Sequence, residues 1–171
     1  MRVLNALYAA GAILAAVFMV LIAILTLIQI LGRLLGVLVL DAGDFAGYAM
    51  AASIFLALAH TFRTGGHIRV NLVLAHSSLR VRRALEIWCL GFVLVIGGLF
   101  AAFAIKMTMD SFSFGDVSTG MIPVPLWVPQ LSMAFGAALL VAAVIEELVC
   151  VLRGNEPRYE KAQTSVESYS E

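Results

Sequence analysis

Four long apolar runs alternate with short polar segments along this chain. Val3–Gly32, Phe45–Phe62, Ile87–Ile105 and Val117–Ile145 contain no Asp, Glu, Lys or Arg. Runs of 18 to 30 uncharged residues match or exceed the roughly 20 that cross a bilayer as helix. The strand-like alternation of a membrane barrel is absent, so closed helices are the reading that satisfies every backbone group in lipid. The pattern predicts an all-α integral membrane protein with four transmembrane helices. At about 1.5 Å per residue the first run spans roughly 45 Å, against a hydrocarbon core of about 30 Å, so it must tilt, kink or project. It also exceeds the roughly 7–15 residues of a secretory h-region, and is read as a retained helix.

The polar segments carry their own signals. After Gly65 and Gly66 the middle connection alternates, His67-Ile68-Arg69-Val70-Asn71-Leu72, and a helical pattern resumes over Leu79–Trp88. A short interfacial helix between helices two and three is predicted, with Asn71 as its N-cap. Ahead of the last run stand Pro123, Pro125 and Pro129, too many for a regular helix. Pro123 and Pro125 predict a stiff, extended approach, Pro129 suits a first helical turn, and Trp127 suits an interface anchor. Gly43, Gly47 and Ala51 repeat every four residues and form one stripe of the second helix. Such a stripe lets another helix approach closely, within the chain or from a partner.

Composition agrees with the pattern: 62% of residues are hydrophobic and 13% charged, and the mean hydropathy is +1.00. A soluble domain of this size cannot hide that much apolar surface. The zero net charge is uninformative, but its distribution is not. Nine of the eleven Lys and Arg lie in three places: Arg2; Arg63, Arg69, Arg80, Arg82 and Arg83; and Arg153, Arg158 and Lys161. The other two are Arg33 and Lys106. The positive-inside rule then makes the N-terminus, the middle connection and the C-terminus cytoplasmic. The segments Arg33–Asp44 and Lys106–Asp116 face outward. Residues 1–152 make the membrane domain. Residues 153–171 make a polar cytoplasmic tail of disordered composition. Arg80, Arg82 and Arg83 are expected at anionic lipid headgroups.

Candidate chemistry is sparse. Proton, ion and anion paths usually need ionisable groups in mid-span, and these runs offer His60 near one end. His60, His67 and His76 share no helical metal-ligand spacing. Cys89 and Cys150 match no metal motif. No nucleophile triad or phosphate-binding loop is present. The residues predict no enzyme, no metal and no cofactor in this chain. Nothing points to nucleic acid.

The segments Asp41-Ala42-Gly43-Asp44-Phe45-Ala46-Gly47-Tyr48, Arg63-Thr64-Gly65-Gly66-His67-Ile68-Arg69-Val70-Asn71-Leu72 and Pro125-Leu126-Trp127-Val128-Pro129-Gln130 resemble the small, DctQ-type membrane subunit of tripartite ATP-independent periplasmic (TRAP) transporters. The likeness covers about residues 1–150. Arg63, His67, Arg69 and Asn71 carry the cytoplasmic motif, with Asn71 where relatives often have Asp. Pro125, Trp127 and Pro129 carry the motif leading into the last helix. The resemblance implies a non-catalytic scaffold in a bacterial inner membrane. Its partners would be a large permease subunit, holding the substrate and sodium sites, and a periplasmic substrate-binding protein that delivers organic acids. On that reading Arg33, then Asp41, Asp44, Lys106 and Asp116, are candidates for docking the binding protein, since sparse charges on a small face can orient a partner. Two other classes compete: a self-assembling small transporter or channel, and an anchor subunit of a redox enzyme. The first generally needs a mid-membrane acid, and a haem-bearing anchor needs histidines within the bilayer.

Overall fold

The computed structural model describes residues 2–37, 39–64 and 79–153. The expected interfacial helix at Asn71, the motif residues His67 and Arg69, and the tail beyond Arg153 lie outside them. The described chain folds into four helices: α1 (Arg2–Leu34), α2 (Ala42–Arg63), α3 (Leu79–Phe114) and α4 (Trp127–Leu152). All four are long and apolar enough to cross a membrane. The chain is an all-α, multi-pass membrane protein.

Three boundaries differ from the apolar runs. α3 has 36 residues, about 54 Å of helix, because Lys106 and Asp110 continue it past the uncharged stretch instead of ending it. α1 has 33 residues, about 50 Å. α4 starts at Trp127, so Pro129 sits within its first turn, where a missing N–H costs nothing. The shorter pair, α2 with 22 residues and α4 with 26, lies at the centre of the packing.

Glycine ends both long helices in the same way. Gly36 has φ of 70° and Gly115 φ of 67°, the left-handed region. At α1, Gly36 N–H donates to Arg33 and Val37 N–H to Gly32 (2.8 Å). At α3, Asp116 N–H donates to Ser111 (3.1 Å). The six-to-one bond after a left-handed glycine marks the Schellman cap, which satisfies carbonyls that otherwise lack donors.

Helix packing runs in the order α1, α2, α4, α3, and an inner pair is flanked by an outer pair. In α3, Ile87, Leu90, Leu94, Gly97, Ala101, Ala104, Thr108 and Ser111 recur at alternating steps of three and four, and all are buried or half-buried. That is the spacing of a helix seated on one neighbour along a narrow seam. A Cβ on Gly97 would lie 3.8 Å from Val141 of α4. The inner contact is closer still. Gly136 of α4 meets the backbone of Phe55 in α2 so tightly that a Cβ would fall 2.3 Å from the Phe55 carbonyl oxygen. α1 meets α2 at Gly11, where a Cβ would lie 3.0 Å from the Leu56 carbonyl oxygen. One turn on, Ser53 Oγ donates to the Ala15 carbonyl at 3.0 Å. A buried cluster of Tyr8, Ala59, Phe62, Leu90, Leu139 and Val144 ties all four helices together near the end that carries the termini.

Candidate functional site

The two ends of the helix sheaf hold the polar chemistry. At the loop end, the α1–α2 and α3–α4 connections meet. Asp41 precedes α2 in a left-handed conformation, with φ of 52°, which Asp tolerates better than most residues. Its side chain does not cap α2. Instead Asp41 Oδ2 accepts a short hydrogen bond from the Ile122 N–H, 81 residues away.

That bond pins a tight hairpin. Ser118 N–H donates to Val124 at 2.8 Å and Leu126 N–H to Asp116 at 3.0 Å. Ser118 Oγ closes the inside, accepting from Val124 N–H at 3.1 Å and donating to the Ile122 carbonyl at 3.3 Å. Gly120 rests on the two acids: a Cβ there would lie 3.0 Å from Asp41 Oδ2 and 3.1 Å from Asp44 Oδ2. Pro123 and Pro125 keep the returning strand extended, as their fixed φ and missing donors require. The expected stiff approach to the last helix is therefore one arm of a hairpin held by its own backbone. Trp127 stacks edge-on against Phe112, 5.6 Å between centroids, and joins α4 to the end of α3.

The five charges nominated for docking all lie at this end, but they are not equivalent. Arg33, Asp44, Lys106 and Asp116 are exposed, whereas Asp41 is half-buried and engaged within the chain. Beneath the hairpin, a cavity of about 310 Å³ opens between α1, α2 and the start of α4, lined by Phe18, Leu25, Tyr48, Ala52, Val124 and Pro129 among others.

At the terminal end, arginines act within the chain. Arg63 donates to Asn5 Oδ1 at 2.9 Å, and its guanidinium carbon lies 4.5 Å from the centre of the Tyr8 ring, a cation–π geometry. Arg83 Nη2 donates to the last carbonyls of α4, Val151 (3.0 Å) and Leu152 (2.9 Å). A cation there also complements the negative end of the helix dipole. Glu86 and Glu147 are buried on the packing faces of α3 and α4. Sequence reasoning did not place them inside. The signal was there for Glu147, which follows Leu140 and Val144 in its helix's three-and-four step, whereas Glu86, four residues before Leu90, sits beside the α3 seam at Ile87.

The middles of the described spans carry no charged side chain, and nearer the helix ends hydroxyls are tied to their own helix. Thr61 and Thr108 donate to carbonyls one turn back, Ala57 and Ala104. The Gly43–Gly47 stripe meets nothing close inside the chain. A Cβ on Gly47 would meet open space, one on Gly43 would lie 3.9 Å from Gln29 Nε2, an ordinary contact, and Ala51 is half-buried.

A sequence model of the tripartite ATP-independent periplasmic transporters, DctQ component, matches residues 22–154. The chain belongs to the DctQ family. The match takes in the Asp41 turn, the Arg63 cluster, the pinned hairpin and the whole of α2, α3 and α4. A DctQ component is one part of a tripartite transporter, so a large permease and a binding protein are implied as its partners. No curated protein and no solved structure matches the chain.

Proposed function

We propose that this DctQ component is a non-catalytic scaffold of a bacterial inner-membrane transporter for organic acids. It supports the large permease subunit, in which sodium coupling and substrate binding reside, and helps dock the periplasmic binding protein. The observation that carries the reading is the charge-free middle of the described spans. Charged side chains of the four helices lie within eight residues of a helix end, Lys106 and Glu86 of α3 being the furthest in. A chain built this way holds a partner more readily than it passes an ion.

The clustering of basic residues supports a cytoplasmic terminal end and a periplasmic loop end. On that orientation Arg80 and Arg82 are candidates for inner anionic headgroups, while Arg83 holds the end of α4. The exposed Gly43–Gly47 face of α2 is an open approach for a helix of the permease. Gentle detergent pull-down of the tagged chain from its own host, followed by mass spectrometry, tests the scheme. A polytopic permease recovered at about one to one is expected. Recovery of the chain with itself alone, together with solute flux in liposomes holding the purified chain, would favour a self-assembling channel instead.

A further inference from the structure

Loops at a membrane surface are commonly polar at their tips. The tip of the hairpin pinned by Asp41 is not. Met121 is 74% exposed and Ile122 45%, and Phe114, at the end of α3, is 80% exposed. These apolar side chains stand on backbone that is fixed before any partner arrives, by the Ser118–Val124 and Leu126–Asp116 bonds and by the Asp41 anchor. Association with a pre-ordered loop avoids most of the ordering cost that a flexible loop incurs. An exposed apolar centre with a charged rim is also the layout of an interface hot spot.

The rim identifies the occupant. Described charges at this end are Asp41, Asp44, Asp110 and Asp116 against Arg33 and Lys106, four carboxylates to two cations. An acidic rim suits a soluble protein whose own contact surface is basic. We infer that Met121 and Ile122 are the anchor by which the soluble binding protein seats on this subunit, and that Asp41 is a positioning residue that holds them out. This rests on the docking role proposed above and moves its centre from the scattered charges to the hairpin.

The test places a photo-reactive phenylalanine analogue at Met121, and in separate strains at Arg33, Lys106 and Gly47, in the full chain in its own membrane. Cross-linked products are identified by mass spectrometry and reproduced with the purified binding protein added to membranes. The expected product at Met121 is the binding protein, with none at Gly47. Asp41→Ala should reduce its yield at least fivefold, as should Gly120→Val, whose side chain would displace the Asp41 carboxylate. Asp41→Asn keeps an accepting oxygen and should retain most of it. Membrane abundance and co-purification of the permease, measured on each variant, separate a moved loop from a misfolded chain. Capture from Arg33 or Lys106 but not Met121 would overturn the hairpin as anchor and leave the scaffold reading standing. Capture of lipid at Met121 would likewise overturn it. No capture from any loop-end position, with the permease still co-purifying, would remove the docking role itself.

Discussion

Single residues decide how close these helices come. Ser53 supplies a hydroxyl that bridges α2 to the Ala15 carbonyl of α1. Hydrogen bonds between membrane helices average about 0.6 kcal/mol. Ser53→Ala should therefore lower stability by about that amount, read as a small drop in melting temperature of the detergent-purified subunit. Gly136 is more demanding, because the atom that a Cβ would strike is backbone and cannot swing away. Gly136→Leu should cost about 1–3 kcal/mol or more by forcing α2 and α4 apart. Gly47→Leu should leave the isolated subunit's melting unchanged, since Gly47 faces open space, but reduce recovery of the permease in pull-down. An intact complex with Gly47→Leu would count against that face as the permease contact. The residue scale is also where the sequence was hardest to read. The stripe Gly43, Gly47 and Ala51 and the pair Gly11 and Ala15 have the same four-residue spacing. Spacing gives a face but not its neighbour, and here the close approach inside the chain is made by Gly11, Ala15 and Gly136.

At the level of elements, the four helices and their order were legible because lipid leaves the chain few options: an uncharged run of sufficient length must close its own hydrogen bonds. Their ends were less legible. Lys106 and Asp110 look like loop residues by charge, yet α3 runs on to Phe114 because nothing in Lys106–Phe114 breaks a helix and Gly115 does. The hairpin between α3 and α4 was half-visible. Its prolines announced an extended arm, but the Ser118 bridge and the Asp41 anchor join residues too far apart in sequence for any local pattern to reveal. Where the caps are glycines, the penalty for change is predictable. Gly36→Ala places a Cβ in the left-handed region at about 1–2 kcal/mol. It should fray the end of α1, seen as faster hydrogen exchange over residues 31–35, with α4 unaffected.

The molecule as a whole presents one end for each kind of work. The terminal end is knitted by Arg63 and Arg83, each bonded to a neighbouring helix, and so suits a fixed platform. The loop end offers exposed charge around a fixed hairpin. Arg33→Glu reverses one of its two cations and makes the face more acidic. If Arg33 takes part in docking, organic-acid uptake by the intact transporter falls while membrane abundance stays level; unchanged uptake would exclude Arg33 from that role.

The order of packing, α1 on α2, α2 on α4 and α4 on α3, gives the chain a modular character. Each consecutive pair is a helical hairpin with its own closing contact, Gly11 on Leu56 in the first and Gly97 beside Val141 in the second. The two hairpins join largely through the inner pair, around Gly136. Such a protein can be assembled from parts: the first hairpin can settle in the membrane before the second is made, and the second then needs to find one surface. The chain should accordingly tolerate being severed between residues 65 and 78. Two co-expressed fragments that co-purify, and that together still recover the permease, are the expected result. Fragments that never associate would mean that the middle connection, and not the Gly136 crossing, joins the halves.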